Sequence, residues 1–236
     1  MIKAVNLTKS YKQKIVLNIN ELTVNDGEIF GLVGNNGAGK TTLLRLMLDL
    51  IKADKGELRS GEHVISKSEK WKDYTSSYLD EGFLIDFLTP EEYFDFIAEE
   101  YGSTRELIAS KLSEFSNFFN GEILGQKRKF IRDFSKGNKQ KMGIASALIT
   151  GPKVLILDEP FNSLDPTSQI ILKQMLSDYN RKSGALIVIS SHDLNHLTEI
   201  CTRIAIIEKG LIIRDLRNDG RALAELADYF SVRKFN

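Results

Sequence analysis

The eight residues Gly34-Asn35-Asn36-Gly37-Ala38-Gly39-Lys40-Thr41, set between an apolar strand (Ile29–Val33) and an apolar helical stretch (43–50), constrain this chain more than any other feature. Glycines let successive backbone N–H groups point into one concavity at a helix N-terminus, where phosphate oxygens are received. In this pattern Lys40 reaches the β- and γ-phosphates, Thr41 brings a hydroxyl to Mg²⁺, and Thr42 follows as a further hydroxyl donor. A chance glycine turn does not need the full spacing, the strand and the helix together. A chain built around this loop must present a strand whose C-terminal end opens onto a helix, which is the plan of an α/β nucleotide-binding fold.

The 236 residues, 42% of them hydrophobic, suffice for one large α/β domain or two small lobes. Lys plus Arg and Asp plus Glu both number 32, so no global basic field favours nonspecific nucleic-acid binding, and no nucleic-acid partner is expected. Cys201 is the sole cysteine, which excludes an internal disulfide and a cysteine metal cluster and suits a reducing cytosol. The opening residues lack the apolar stretch of a signal peptide, and no apolar run approaches the ~20 residues of a membrane span. Contact with a membrane is therefore expected to go through a partner.

Along the chain, β-branched, partly alternating segments (2–7 and 15–24) and the turn Asn25-Asp26-Gly27 predict a small antiparallel layer ahead of a buried strand at 28–33. Short strand-like pieces follow at 56–58 and 62–65, then a polar stretch around 67–72. From 89 to 120 the pattern is helical, with two capping boxes, Thr89 with Glu92 behind Pro90 and Ser103 with Glu106. Tyr93, Phe94, Ile97 and Tyr101 share one face of the first helix, and Leu107, Ile108, Leu112, Phe115 and Phe119 one face of the second. This predicts a helical lobe (81–149) inserted in an α/β core (1–80 and 150–236), the whole a single domain. Apolar runs at 154–157 and 185–189 read as strands covered on both faces. Asp165-Pro166 starts a helix that Gly184 ends, a short helix spans 192–201, a hairpin turns at Lys209-Gly210, and 221–230 reads as a closing helix.

Val154-Leu155-Ile156-Leu157-Asp158-Glu159-Pro160 puts two carboxylates at the C-terminal end of a buried strand, the edge where open α/β sheets bind ligands. Asp158 is suited to hold Mg²⁺ through its water shell, and Glu159 to orient and polarise an attacking water. Between the two nucleotide elements lies Ser135-Lys136-Gly137-Asn138-Lys139-Gln140-Lys141, a serine and a glycine heading a helix.

With these motifs the chain resembles the ATP-binding-cassette (ABC) ATPases over nearly its whole length. Ser135-Lys136-Gly137-Asn138 matches that family's Leu-Ser-Gly-Gly-Gln element, in a form with a following Lys-Gln that some exporter subunits show. The resemblance implies a P-loop NTPase (RecA-like) core with an N-terminal antiparallel β layer and an inserted helical lobe. It implies that Tyr11 stacks on adenine, that Ser163-Leu164-Asp165 forms the loop after the carboxylate pair, and that His192, in Ser190-Ser191-His192-Asp193, is the switch histidine. It also implies that Lys40, Glu159 and His192 serve catalysis, and that Ser135, Gly137, Asn138 and Asp165 meet the nucleotide when two subunits close head to tail. The cofactors implied are ATP and Mg²⁺. The partners are a membrane-spanning permease and a second ATPase subunit, expected to be an identical copy. The place is the cytoplasmic face of the membrane, where the chain would sit peripherally.

Two departures from the family pattern stand out. Glu81, or Asp80 in the neighbouring register, falls where the family has a glutamine, and a carboxylate there is expected to contact the metal or its water. Lys136 and Asn138 replace glycine and glutamine. The basic cluster Lys127, Arg128, Lys129, Arg132, Lys136, Lys139 and Lys141 reads as a solvated lobe face that adds a phosphate-attracting field, in preference to a nucleic-acid or lipid patch. Phe83, Leu84, Ile85, Phe87 and Leu88 lie where family members receive a coupling helix of the membrane subunit, although lobe core is the competing reading. The alternative function is a soluble, non-transport ATPase of the same superfamily. A GTP switch is disfavoured because Asn138-Lys139-Gln140-Lys141 lacks the aspartate that a guanine-reading Asn-Lys-x-Asp element needs.

Overall fold

The computed structural model describes residues 1–126 and 128–219. The chain opens with β1 (Ile2–Tyr11) and β2 (Lys14–Val24), then the buried β3 (Ile29–Val33) leading into α1 (Lys40–Met47). β4 (Lys55–Ser60), β5 (His63–Val64) and β6 (Thr75–Tyr78) follow. Next come four helices, α2 (Pro90–Glu100), α3 (Arg105–Ser113), α4 (Ser116–Phe119) and α5 (Lys136–Ile149). The remainder runs β7 (Val154–Leu157), α6 (Pro166–Ser183), β8 (Leu186–Ser191), α7 (Leu194–Ile200), β9 (Arg203–Glu208) and β10 (Leu211–Arg217).

Two sheets result. The antiparallel one has the order β2-β1-β4-β5, and the larger has the order β10-β9-β3-β8-β7-β6, with β9, β3, β8, β7 and β6 parallel and β10 antiparallel at one edge. The central strands read as unbroken apolar runs because each face has its own cover. Residues alternate between the two: Ile29, Val33, Leu155, Leu157, Ile187 and Ile189 face the helices α2–α7, whereas Phe30, Leu32, Val154, Ile156, Leu186 and Val188 face α1 and the antiparallel sheet. Among the described residues the helical lobe has no separate core. Phe94, Phe115, Phe118, Phe119 and Ile131 belong to the same apolar cluster as the sheet residues.

Local signals explain most boundaries. Thr89 and Glu92 form the expected reciprocal capping box, with Pro90 at the first helical position. Asp165 caps α6 by accepting from Ser168 N, and Gly184, at φ 68°, ends that helix in the left-handed conformation. The structure corrects several expectations. The second lobe helix is capped by Thr104, which accepts from Leu107 N, rather than by Ser103, and α4 is a separate turn after it. Leu107 and Tyr101 are exposed instead of facing the core. α1 begins at Lys40 and ends at Met47, and β1 and β2 are longer than the apolar pattern showed. β6 was not expected at all. The basic cluster is not one solvated face: Lys141 is 4% exposed and Lys139 lies 4.0 Å from Glu81. Lys127 and the helix expected at 221–230 lie outside the described residues. Among the described residues no helix is long and apolar enough to cross a membrane.

Candidate functional site

The parallel order of β3, β8 and β7 brings three strand ends side by side, and each hands over a polar group. β3 leads into the phosphate-type loop and α1, whose N-cap Gly39 adopts φ 113°, a conformation that suits glycine. β7 delivers Asp158 and Glu159, and β8 delivers Ser190 and Ser191, followed by His192.

These groups meet. Thr41 Oγ1 donates to Asp158 Oδ2 at 2.6 Å across 117 residues of sequence. Lys40, only 6% exposed, donates to the Gly34 carbonyl oxygen at 2.6 Å and lies 3.2 Å from Glu159 Oε1. The other carboxylate oxygen of Glu159 is 2.9 Å from His192 Nδ1. Glu159 thus stands between a lysine and a histidine. Burial raises the Asp158 carboxyl above its ordinary value, although hydrogen bonds from Ser190 and Thr41 oppose the rise. Such a group is stabilised as an anion by a nearby cation, which is the environment a divalent metal supplies.

Glu159 itself has φ 47°, left-handed and uncommon for a residue with a side chain. That conformation costs about 1 to 2 kcal/mol. Its N–H donates to Ser190 Oγ at 2.9 Å and its carbonyl accepts from Gln140 Nε2 at 3.2 Å. At about 0.5 to 1.5 kcal/mol each, two such bonds are enough to offset the strain. Neither Ser190 nor Gln140 had an assignment from the sequence, because each acts on the backbone of a residue far along the chain.

Around this centre the other expected residues fall into two groups. Ser135 caps α5 by accepting from Asn138 N at 3.2 Å, is itself exposed, and stands beside the segment after the carboxylate pair: a Cβ on Gly137 would come within 2.6 Å of the Ser163 carbonyl oxygen. Asp165 lies 3.8 Å from the buried Lys141 Nζ. Gly37 and Ala38 shape the loop, where Ala38 N donates to the Asn35 carbonyl, and Asn36 and Thr42 complete its sequence. Tyr11 and Glu81 stand apart. Tyr11 is exposed at the end of β1, with Lys9 Nζ 5.4 Å from its ring, and Glu81 pairs with Lys139 rather than joining Thr41 and Asp158.

A glycine loop closed on a helix N-terminus, with a lysine, a hydroxyl and a paired Asp-Glu at adjacent strand ends, defines a P-loop nucleoside triphosphatase. A family model described as ABC transporter matches residues 17–162. YhcH of Bacillus subtilis strain 168, described as an uncharacterized ABC transporter ATP-binding protein, is 33% identical over 218 residues, which cover 90% of this chain and 68% of YhcH. The bacitracin transport ATP-binding protein BcrA of Enterococcus faecalis is 33% identical over 217 residues, 92% of this chain and 69% of BcrA. A solved structure of an ATP-binding subunit of an ABC transporter superposes over all of both chains with a TM-score of 0.86 at 26% identity. The chain belongs to the ABC transporter family, as an ATP-binding and ATP-hydrolysing subunit coupled to transport.

Proposed function

We propose that this subunit hydrolyses Mg²⁺-ATP with Glu159 orienting the attacking water, in a dimer of identical copies that drives a separate membrane-spanning permease. The observation that carries this reading is the contact of Thr41 with Asp158 beside the Lys40–Glu159–His192 line. The donor set suits Mg²⁺, which prefers hard oxygen ligands and binds through one or two protein groups plus substrate phosphates. Among the described residues no cluster of three His, Cys, Asp or Glu is arranged to hold an ion alone, in keeping with a metal that arrives with its nucleotide. Thr41 and Asp158 would hold it. When bound, the ion neutralises charge that develops on the phosphate oxygens.

Each residue then has a role. The loop from Gly34 to Gly39 cradles the phosphates through backbone N–H groups, and Lys40 supplies a buried cation to them. Glu159 accepts a hydrogen bond from the attacking water and polarises it, while His192 keeps the carboxylate turned toward the phosphate side. Tyr11 provides the adenine contact. Glu81, held by Lys139, joins the lobe to the loop after β6 in place of a metal contact. Ser135, Gly137, Asn138 and Asp165 contact the nucleotide held by the second copy. The exposed N-terminus of α5 supports that assignment, since the helix dipole favours an anion there.

If closure requires two copies, ATP turnover per subunit rises with protein concentration from the nanomolar to the micromolar range and then levels. A rate per subunit that stays flat over that range would overturn the dimer.

The permease is received by the segment after β6. Phe87 is 69% and Phe83 52% exposed, although Leu84 is buried and the segment is anchored by Ile131 N donating to the Leu88 carbonyl at 2.8 Å. A rigid loop that shows two phenyl rings to solvent suits a partner helix. In this reading the subunit sits at the cytoplasmic face of the membrane. Phe87→Asp, whose exposure keeps its stability cost within about 0.5 kcal/mol, should retain ATP hydrolysis yet lose a multi-spanning membrane protein from mild-detergent pull-downs. Recovery of that protein in undiminished amount would remove Phe87 from the docking surface. Recovery of soluble partners alone, with the unsubstituted chain, would favour a non-transport ATPase.

A further inference from the structure

We propose that Ser190 is a positioning residue for ATP hydrolysis: its single hydroxyl fixes the left-handed backbone of Glu159 and ties that backbone to the carboxylate of Asp158. The inference rests on the reading of Glu159 as the water-orienting group.

Ser190 lies in β8 and is 0% exposed. Its Oγ accepts the Glu159 N–H at 2.9 Å and donates its own proton to Asp158 Oδ1. A hydroxyl can do both at once, because it carries one donor and two acceptor lone pairs. The other Asp158 oxygen is taken by Thr41. A continuous line therefore runs from Thr41 through Asp158 and Ser190 to the peptide of Glu159. From the opposite side Gln140 donates to the Glu159 carbonyl at 3.2 Å. Both polar groups of a strained residue are thereby held, one by the strand next to β7 and one by the helix that Ser135 caps.

The consequence is directional. A residue at φ 47° has an easier conformation nearby at negative φ, and rotation toward it would swing the Cα–Cβ bond and carry the Glu159 carboxylate away from Lys40 and His192. Alanine at 190 removes the hydroxyl without adding bulk, so the β8 core stays filled while the Glu159 N–H loses its acceptor. Phosphate contacts made by the loop and Lys40 do not pass through Ser190, and without the serine hydroxyl Asp158 keeps its bond from Thr41. Turnover should suffer and nucleotide binding should not.

The test uses the full chain and four variants: Ser190→Ala, Ser190→Thr, Gln140→Leu and Glu159→Gln. kcat and KM for Mg²⁺-ATP are measured for each, with Kd for Mg²⁺-ATP in the Glu159→Gln background and thermal unfolding as controls. Ser190→Ala should lower kcat roughly 10- to 100-fold, the scale of a small misplacement of a reacting group, with KM and Kd within about twofold of the parent. Ser190→Thr, which keeps the hydroxyl, should restore most of kcat. Gln140→Leu should lower kcat with KM held, and it decides the matter should Ser190→Ala fail to fold. Ser190→Ala and Ser190→Thr equally impaired, Ser190→Ala with unchanged kcat beside an inactive Glu159→Gln, or a joint loss of kcat, affinity and thermal stability would each overturn the proposal. Full hydrolysis by Glu159→Gln would overturn the assignment of Glu159 itself, and the positioning role with it.

Discussion

Glu159→Gln is expected to lower kcat by roughly 10²- to 10⁴-fold, the usual contribution of a positioned general base, which is about 2.7 to 5.4 kcal/mol of barrier. The amide has the size of the carboxylate and keeps an oxygen for His192 Nδ1, 2.9 Å away. What it loses is the negative charge and the basicity that polarise a water. The same charge lies 3.2 Å from Lys40. Phosphates and Glu159 compete for that lysine, so neutralising Glu159 leaves Lys40 more available. ATP should bind the variant at least as tightly as the parent, and an ATP-bound dimer should accumulate. Steady-state phosphate release, equilibrium nucleotide binding and size-exclusion with ATP check the three parts separately. Parent-like turnover, or a large loss of affinity, would show that Glu159 does something other than orient water.

Gly143→Ala should destabilise the fold by about 2 kcal/mol, against the ordinary expectation for a glycine inside a helix. Replacing helical glycine with alanine normally gains about 1 kcal/mol. Here the added Cβ would lie 2.0 Å from Tyr78 Cε2 and 2.2 Å from Cδ2, so the ring has to leave its place. Tyr78 is 3% exposed at the end of β6, and burial pushes its hydroxyl well above the ordinary tyrosine value. Overpacking of a tight core costs ~1 to 3 kcal/mol even where contacts are milder than this, and it outweighs the propensity gain. For a chain of this size 2 kcal/mol lowers Tm by about 4 to 8 °C. In a Tyr78→Ala background Gly143→Ala should instead stabilise, because the alanine methyl then has room and the helix gain is left. A double-mutant cycle on thermal unfolding reads this directly, and additive losses would refute the contact.

The sequence made the centre of this molecule legible because its signals are local. The glycine loop, the Asp158-Glu159 pair after an apolar run, the Asp165-Pro166 helix start and the Gly184 stop each declare themselves within a few residues. β6 escaped because Thr75-Ser76-Ser77-Tyr78 looks like a polar loop. It is an edge strand paired with β7 in which only Ser76 and Tyr78 are buried, so one aromatic residue is all the apolar pattern it offers. Glu106, three residues on, points to Ser103 as the cap, yet Thr104 takes that place, since both are hydroxyl residues just before a helix and backbone geometry selects between them. Lys141 looked like surface because lysine usually is, yet it is buried against Asp165 and the Phe118 ring. Ser190 and Gln140 were illegible for a different reason: their partner atoms belong to the peptide of Glu159, 31 and 19 residues away.

The shared apolar cluster has a mechanical meaning. A lobe with its own core could swing out on two chain crossings like a door, wetting the gap behind it. Here Phe118, Phe119 and Ile131 are continuous with Leu155, Leu157 and Ile189, and prying them apart would bring water onto both surfaces. Displacement along that contact, with side chains exchanging neighbours while staying dry, is far less costly. Whatever pushes on the lobe therefore meets its least resistance along that contact.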